Sequence, residues 1–231
     1  MAKLQDQLDR ITENTRKLVQ PERLAVSEAS TAALFHTGIE DGVLPVGAKA
    51  PDFALPALSM SDSRTGKLVR SSDLLALGPL VVSFFRGRWC PYCVTELEAW
   101  RELLPELRRS RANLVAISPQ TTRQNSFTAE QHALPFPLLS DPGAAVAASF
   151  GIAHTIPERD RLYYQNILVN IPHSNGGRTY TTAQEADWRL PLPATFLIRP
   201  DNTVAFAEAH ADFRVRPEPA DVLACLRNSE A

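Results

Sequence analysis

The chain has 231 residues, 44% of them apolar and 22% charged, a mix that suits a globular protein with a sizeable core. Its formal net charge of −2 offers no field to hold nucleic acid or an acidic membrane surface, so neither is expected as a partner. No apolar run approaches the roughly 18 residues of a membrane span, and the polar start MAKLQDQLDRITENTRKL has no apolar stretch like that of a secretion signal, so the expected location is cytoplasmic.

Residues 1–45 read as an N-terminal helical extension. Leu4, Leu8, Ile11 and Leu18, and then Leu24, Ala29, Ala33 and Leu34, fall at helical spacing, with Pro21 suited to the first turn of a second helix. Such a pair either packs on the core or forms the contact of a homodimer. The main domain is expected over residues 46–231. Ser59 to Lys67 reads as turns, Ser71 to Leu77 as a short helix, and Pro79 to Phe85 as a strand covered on both faces. Thr95 to Arg109 carries Leu97, Trp100, Leu103, Leu104 and Leu107 on one side, an amphipathic helix that Pro105 is expected to kink.

Asn113 to Ser118 is a second buried strand. Thr121 to His132 is a helix, Pro137 to Leu139 a short extended piece and Pro142 to Phe150 another helix. Residues 152–190 read as an irregular, polar insert. Ala194 to Ile198 and Thr203 to Glu208 form a hairpin across Pro200-Asp201-Asn202, and Glu218 to Asn228 closes the chain as a helix. Alternating strands and helices make this an α/β domain with a largely parallel central sheet.

Of the three cysteines, Cys90 and Cys93 form a C-x-x-C pair inside Trp89-Cys90-Pro91-Tyr92-Cys93, and Cys225 sits in the last helix as a small core residue. Three are too few for a disulfide scaffold. A zinc site needs two further ligands, and the five scattered histidines have no ligand spacing, so no metal and no cofactor are expected. The pair lies where a buried strand gives way to a helix. The unpaired N–H groups and positive end of a helix stabilise a thiolate, and this spacing lets two sulfurs cycle between dithiol and disulfide. Arg86 and Arg88 would lower the thiol pKa further if they point inward, and Trp89 and Tyr92 would shield the sulfurs. Glu96, about one turn after Cys93, reads as a solvated helix charge, with a hydrogen bond near the site as the alternative. Trp188, Tyr163 and Tyr164 read as packing for the insert, with a place at the border of the site mouth as the alternative, and His154, His173 and His210 as surface or loop residues. Pro193 stands immediately before a buried strand, where proline is tolerated.

Over roughly residues 46–228 the chain resembles the peroxiredoxin-like branch of the alkyl hydroperoxide reductase/thiol-specific antioxidant (AhpC/TSA) superfamily. The resemblance rests on Gly47 to Phe53, Phe84 to Leu97, Val115 to Ser118, Leu139 to Pro142 and Pro193 to Ile198. It implies a thioredoxin-like fold, a central mixed sheet flanked by helices. On the family's P-x-x-x-T-x-x-C motif, Cys93 matches the peroxide-attacking cysteine, Arg86 falls in the proline slot and Cys90 in the threonine slot. The family's late-strand arginine falls near Pro193 and is missing. Pro193 itself resembles the cis-proline that faces the disulfide in thioredoxin-fold proteins, and Cys90-Pro91-Tyr92-Cys93 is the tetrapeptide of glutaredoxins.

The resemblance implies a thiol-dependent antioxidant oxidoreductase. Cys93 would reduce a peroxide and Cys90 would resolve the sulfenic acid, with thioredoxin or a small thiol as reductant. The alternative is a dithiol–disulfide oxidoreductase in which Cys90 attacks, and a third reading is a redox sensor.

Overall fold

The computed structural model describes residues 3–59 and 62–228. Two helices lead, α1 (Leu4–Leu18) and α2 (Pro21–Phe35), followed by β1 (Ala54–Ser59), β2 (Asp62–Arg70), α3 (Ser71–Leu75), β3 (Leu80–Phe84), α4 (Pro91–Arg109), β4 (Asn113–Ser118), α5 (Thr122–Gln131) and β5 (Leu138–Ser140). Then come α6 (Ala145–Ser149), β6 (Ala153–Thr155), α7 (Glu158–Asn166), α8 (Ile171–Gly176), β7 (Arg189–Pro191), β8 (Ala194–Ile198), β9 (Val204–Ala209) and α9 (Pro219–Asn228).

The central sheet runs β5-β4-β3-β8-β9. β3, β4 and β5 are parallel, whereas β8 is antiparallel to β3 and β9 to β8. The sheet is therefore mixed, as the fold resemblance implies. Alternation along β3 explains its unbroken apolar run. Val81 and Phe85 enter a core layer with Leu97, Trp100 and Leu107 of α4, whereas Leu80, Val82 and Phe84 enter the opposite layer with Phe150 and Phe196. In that second layer the Phe84, Phe150 and Phe196 rings lie 4.9–6.0 Å apart, between tilted and edge-to-face.

α1 places Leu4 and Leu8 in the first layer beside α4 and α9. Its start is tied to α9 by Glu218, whose carboxylate accepts the N–H groups of Leu4 at 3.0 Å and Gln5 at 2.9 Å. α2 buries no residue fully and is held by polar ties, Ser30 Oγ donating to Asp160 at 2.8 Å and Glu28 pairing with Arg214.

Three local expectations differ from the structure. Much of the stretch 59–67 is strand, because β1 and β2 make a two-stranded ribbon whose backbone pairing needs no apolar alternation; Met60 and Ser61 lie outside the described residues. α4 continues through Pro105. The segment 152–190 is not irregular: it contains β6, α7, α8 and β7, and its own small core joins Ile156, Ile171, Trp188 and Leu190. The polar sequence of α7 hides this order, since packing against neighbours rather than periodicity sustains it.

Candidate active site

Cys90 is the N-cap of α4, Pro91 occupies the first helical position and Cys93 the first turn. Both thiols are free, with Cys90 2% and Cys93 0% exposed. The Cys93 thiol donates to Cys90 Sγ at 2.9 Å. The turn before them depends on Gly87, whose φ is +156° and where a Cβ would lie 2.5 Å from Trp89 Nε1. Only glycine lets the Trp89 indole fold back over this turn.

Arg86 turns inward and is 7% exposed. Its guanidinium lies 4.9 Å from the Trp89 ring centre and 4.6 Å from that of Phe213, and Nη2 donates to Tyr164 Oη at 2.6 Å. Arg88 is exposed and turns the other way, donating to Gln124 at 3.3 Å, so it does not join Arg86 at the sulfurs. Tyr92 packs edge-on against Phe213 and shares a 3.1 Å hydroxyl hydrogen bond with Thr12 of α1. The first helix of the extension thus touches the site's wall.

The residue that sequence reasoning missed is Arg216, in the loop between β9 and α9. Its side chain is 0% exposed; Nη2 donates to Cys93 Sγ at 3.6 Å and Nε to Glu96 at 2.6 Å. The expected solvated Glu96 is instead 1% exposed and also accepts from Thr195 at 3.2 Å. Its position was a usable signal: Cys93, Glu96, Leu97 and Trp100 share one buried stripe of α4, and a carboxylate there needs a cation. Which of the 24 Lys and Arg residues supplies it is not encoded locally. The family's arginine is absent at Pro193, but Arg216 brings a cation to Cys93 from another element.

Pro193 is not the cis-proline that the resemblance implies. No peptide bond is cis among the described residues. β7 pairs with β6, and Leu192 N–H donates to Ile152 at 2.7 Å, so the chain enters β8 already extended. Pro193 lines a cavity of about 430 Å³ together with Arg86, His154, Tyr164 and Phe213 and with residues of α2. A neighbouring cavity of about 170 Å³ is lined by Cys90, Arg86, Trp89, Tyr92 and Tyr164. His154 is thus at the site rather than on the surface; burial and then the charge of Arg86 hold it neutral, its pKa down to about 3.

Burial resists ionisation of Cys90, but the donated Cys93 hydrogen bond and the charges of Arg86 and Arg216 outweigh it and bring the thiol down to about 6. Burial, that same donation and the adjacent Cys90 charge push Cys93 well up. Burial raises Glu96 to about 7 against the pull of Arg216. The arrangement is a buried dithiol that holds one negative charge beside two cations. Among the described residues no three His, Cys, Asp or Glu side chains converge as a metal ligand set.

Residues 46–207 match the AhpC/TSA family model. Over 109 residues the chain is 36% identical to a Mycobacterium tuberculosis protein named "Putative peroxiredoxin", covering 47% of this chain and 67% of that one. It is 27% identical over 111 residues to the thiol-disulfide oxidoreductase ResA of Bacillus anthracis, covering 47% and 59%. Among solved structures, peroxidoxin BcpB of M. tuberculosis is similar at a TM-score of 0.58 and 26% identity, over 80% of this chain and 97% of that one. M. tuberculosis AhpC shares the fold at a TM-score of 0.58 and 20% identity, over 82% and 99%. The family match spans the strand, the dithiol and the sheet that carries them, and the chain belongs to the AhpC/TSA family as a peroxiredoxin-like oxidoreductase of thioredoxin fold.

Proposed function

We propose that the chain is a thiol-dependent peroxidase that reduces a small peroxide, with the expected roles of the two sulfurs reversed: Cys90 attacks and Cys93 resolves. One observation carries the assignment of roles: Cys90 lines a cavity and is the thiol whose ionisation is favoured, whereas Cys93 is 0% exposed and donates to it. The Cys90 thiolate attacks one peroxide oxygen, the O–O bond breaks, and the departing alkoxide or hydroxide leaves as alcohol or water after taking up a proton. The Cys93 thiol then displaces water from the Cys90 sulfenic acid and the Cys90–Cys93 disulfide closes. Two electrons have passed from the pair to the peroxide, and a thiol reductant returns them. The enclosure of both sulfurs favours a small thiol over a protein such as thioredoxin. A cytoplasmic location belongs to this reading, since a pair that cycles back to the dithiol needs a reducing compartment; no helix among the described residues is long and apolar enough to cross a membrane.

A second reading, disulfide reduction, is supported by the same ionised Cys90 at a helix start and by the similarity to ResA. Single Cys90→Ser and Cys93→Ser variants, given hydrogen peroxide or a small disulfide with dithiothreitol as reductant, test both. Sulfenic acid trapped at Cys90 in Cys93→Ser is the expected result. Trapping only at Cys93 in Cys90→Ser reverses the roles, as Arg216 beside Cys93 would favour. Disulfide turnover without peroxide turnover selects the second reading.

A further inference from the structure

We propose that Arg86 forms the floor of a carboxylate-binding site whose affinity rises on oxidation, and that the site recruits a low-molecular-weight thiol bearing a carboxylate as the reductant of the Cys90–Cys93 disulfide. The inference rests on the disulfide-forming cycle above and adds the chemical class of its reductant.

In the dithiol state two buried cations, Arg86 and Arg216, face the Cys90 thiolate and the Glu96 carboxyl group. Arg216 has its own carboxylate in Glu96; no carboxylate among the described residues pairs with Arg86. When the disulfide closes, the thiolate charge disappears and Arg86 is left as an uncompensated buried cation. A guanidinium does not deprotonate in a protein, so only an incoming anion restores the balance.

Geometry decides which anion. The guanidinium carbon lies over the Trp89 and Phe213 rings and Nη2 donates to Tyr164; among the described residues it makes no other side-chain hydrogen bond, so its remaining N–H groups can meet a carboxylate. Arg86 lines both cavities, and the 430 Å³ one has apolar walls, including Leu34, Leu192 and Phe213, that suit an organic body. The carboxylates nearby are occupied: Asp160 accepts from Ser30, and Glu28 pairs with Arg214. Cys90 shares the smaller cavity with Arg86, so a thiol anchored there presents its sulfur to Cys90 rather than to Cys93.

Its thiolate attacks Cys90 Sγ, the Cys90–Cys93 bond breaks, and the electron pair leaves on Cys93, which takes a proton. A second thiol attacks the small-molecule sulfur of the mixed disulfide, releases Cys90 as thiolate and departs as the oxidised dimer. The restored thiolate then repels the carboxylate, so reduction ends in release.

The test uses the full chain with its disulfide formed by diamide, so that it does not depend on peroxide turnover. Reduction by 3-mercaptopropionate and by 2-mercaptoethanol at equal thiolate concentration is followed by alkylation and mass spectrometry. In the wild type the carboxylate thiol is expected to saturate and to be about tenfold faster, the size of one charge-assisted contact. Arg86→Gln should abolish that ratio and Arg86→Lys retain part of it. A wild-type ratio near one, or a ratio unchanged in Arg86→Gln, overturns the proposal. Calorimetry with propionate on the unmutated protein removes any dependence on variant folding: tighter binding to the disulfide than to the dithiol form is expected, and equal or no binding to both overturns it. Failure of hydrogen peroxide to form the Cys90–Cys93 disulfide would count against the peroxidase reading alone.

Discussion

Arg216 Nη2 lies 3.6 Å from Cys93 Sγ, although the two residues are 123 positions apart and belong to different elements. The same guanidinium donates to Glu96, one turn further along α4. One cation therefore ties the dithiol helix to the loop that precedes α9.

That tie makes Arg216→Ala a severe change. It leaves the buried Glu96 carboxylate without its cation, a situation that typically costs about 3–5 kcal/mol. Urea denaturation should show a loss of this order. The double variant Arg216→Met/Glu96→Leu should recover much of the stability, since it removes both charges together. A single variant as stable as the wild type would contradict the role of the pair.

Cys90 governs the pH response of the reduced protein. Its folded pKa is lowered from its ordinary 9.0 to about 6, so the unfolded chain binds more protons between those values. The group's contribution to stability is therefore fully present above about pH 9 and is lost as pH falls through about 6. Thiolate absorbance near 240 nm and the rate of iodoacetamide alkylation should share a midpoint near pH 6. Arg86→Gln should move it up by about one unit, because a single nearby charge is removed. A midpoint near the ordinary value in the wild type would refute the assignment.

Gly87→Ala should damage the turn that aims Arg86. The added Cβ would meet Trp89 Nε1 at 2.5 Å, and the backbone φ of +156° is one that alanine rarely adopts. A loss of about 1–3 kcal/mol is expected, with slower alkylation of Cys90 at pH 7 as the indole and guanidinium shift. Thermal unfolding and alkylation kinetics measure the two effects separately.

Glu218→Ala should loosen α1 without touching the sulfurs. The carboxylate accepts two N–H groups at the start of that helix, and losing such a cap costs about 1 kcal/mol. Hydrogen exchange over residues 4–18 should quicken, whereas the Cys90 titration midpoint stays in place. A shifted midpoint would instead couple α1 to the thiols through Thr12 and Tyr92.

Much of the framework was legible because local patterns carry it. The apolar run of β3, the strand β4, the amphipathic stripe of α4 and the Cys90–Cys93 pair at the junction each follow from residues within one element. The pairing of β8 with β9 followed from a turn signal. The segment holding α7 and α8 was not legible, because those helices are short and polar and owe their order to contacts such as Ile171 and Trp188 in a separate cluster.

Sequence alone determined the redox class, since a C-x-x-C at a helix start has a chemical use that its neighbours already disclose. Tertiary structure decided the rest of the site. Whether Arg86 or Arg88 faces the sulfurs depends on the fold of Gly87 and Trp89. Whether Glu96 is solvated depends on Arg216, Thr195 and the strands behind them. Whether Pro193 is cis depends on how β7 delivers the chain to β8. Burial and pairing between distant elements set the charge balance at Cys90 and Cys93, and no local pattern records which distant cation arrives.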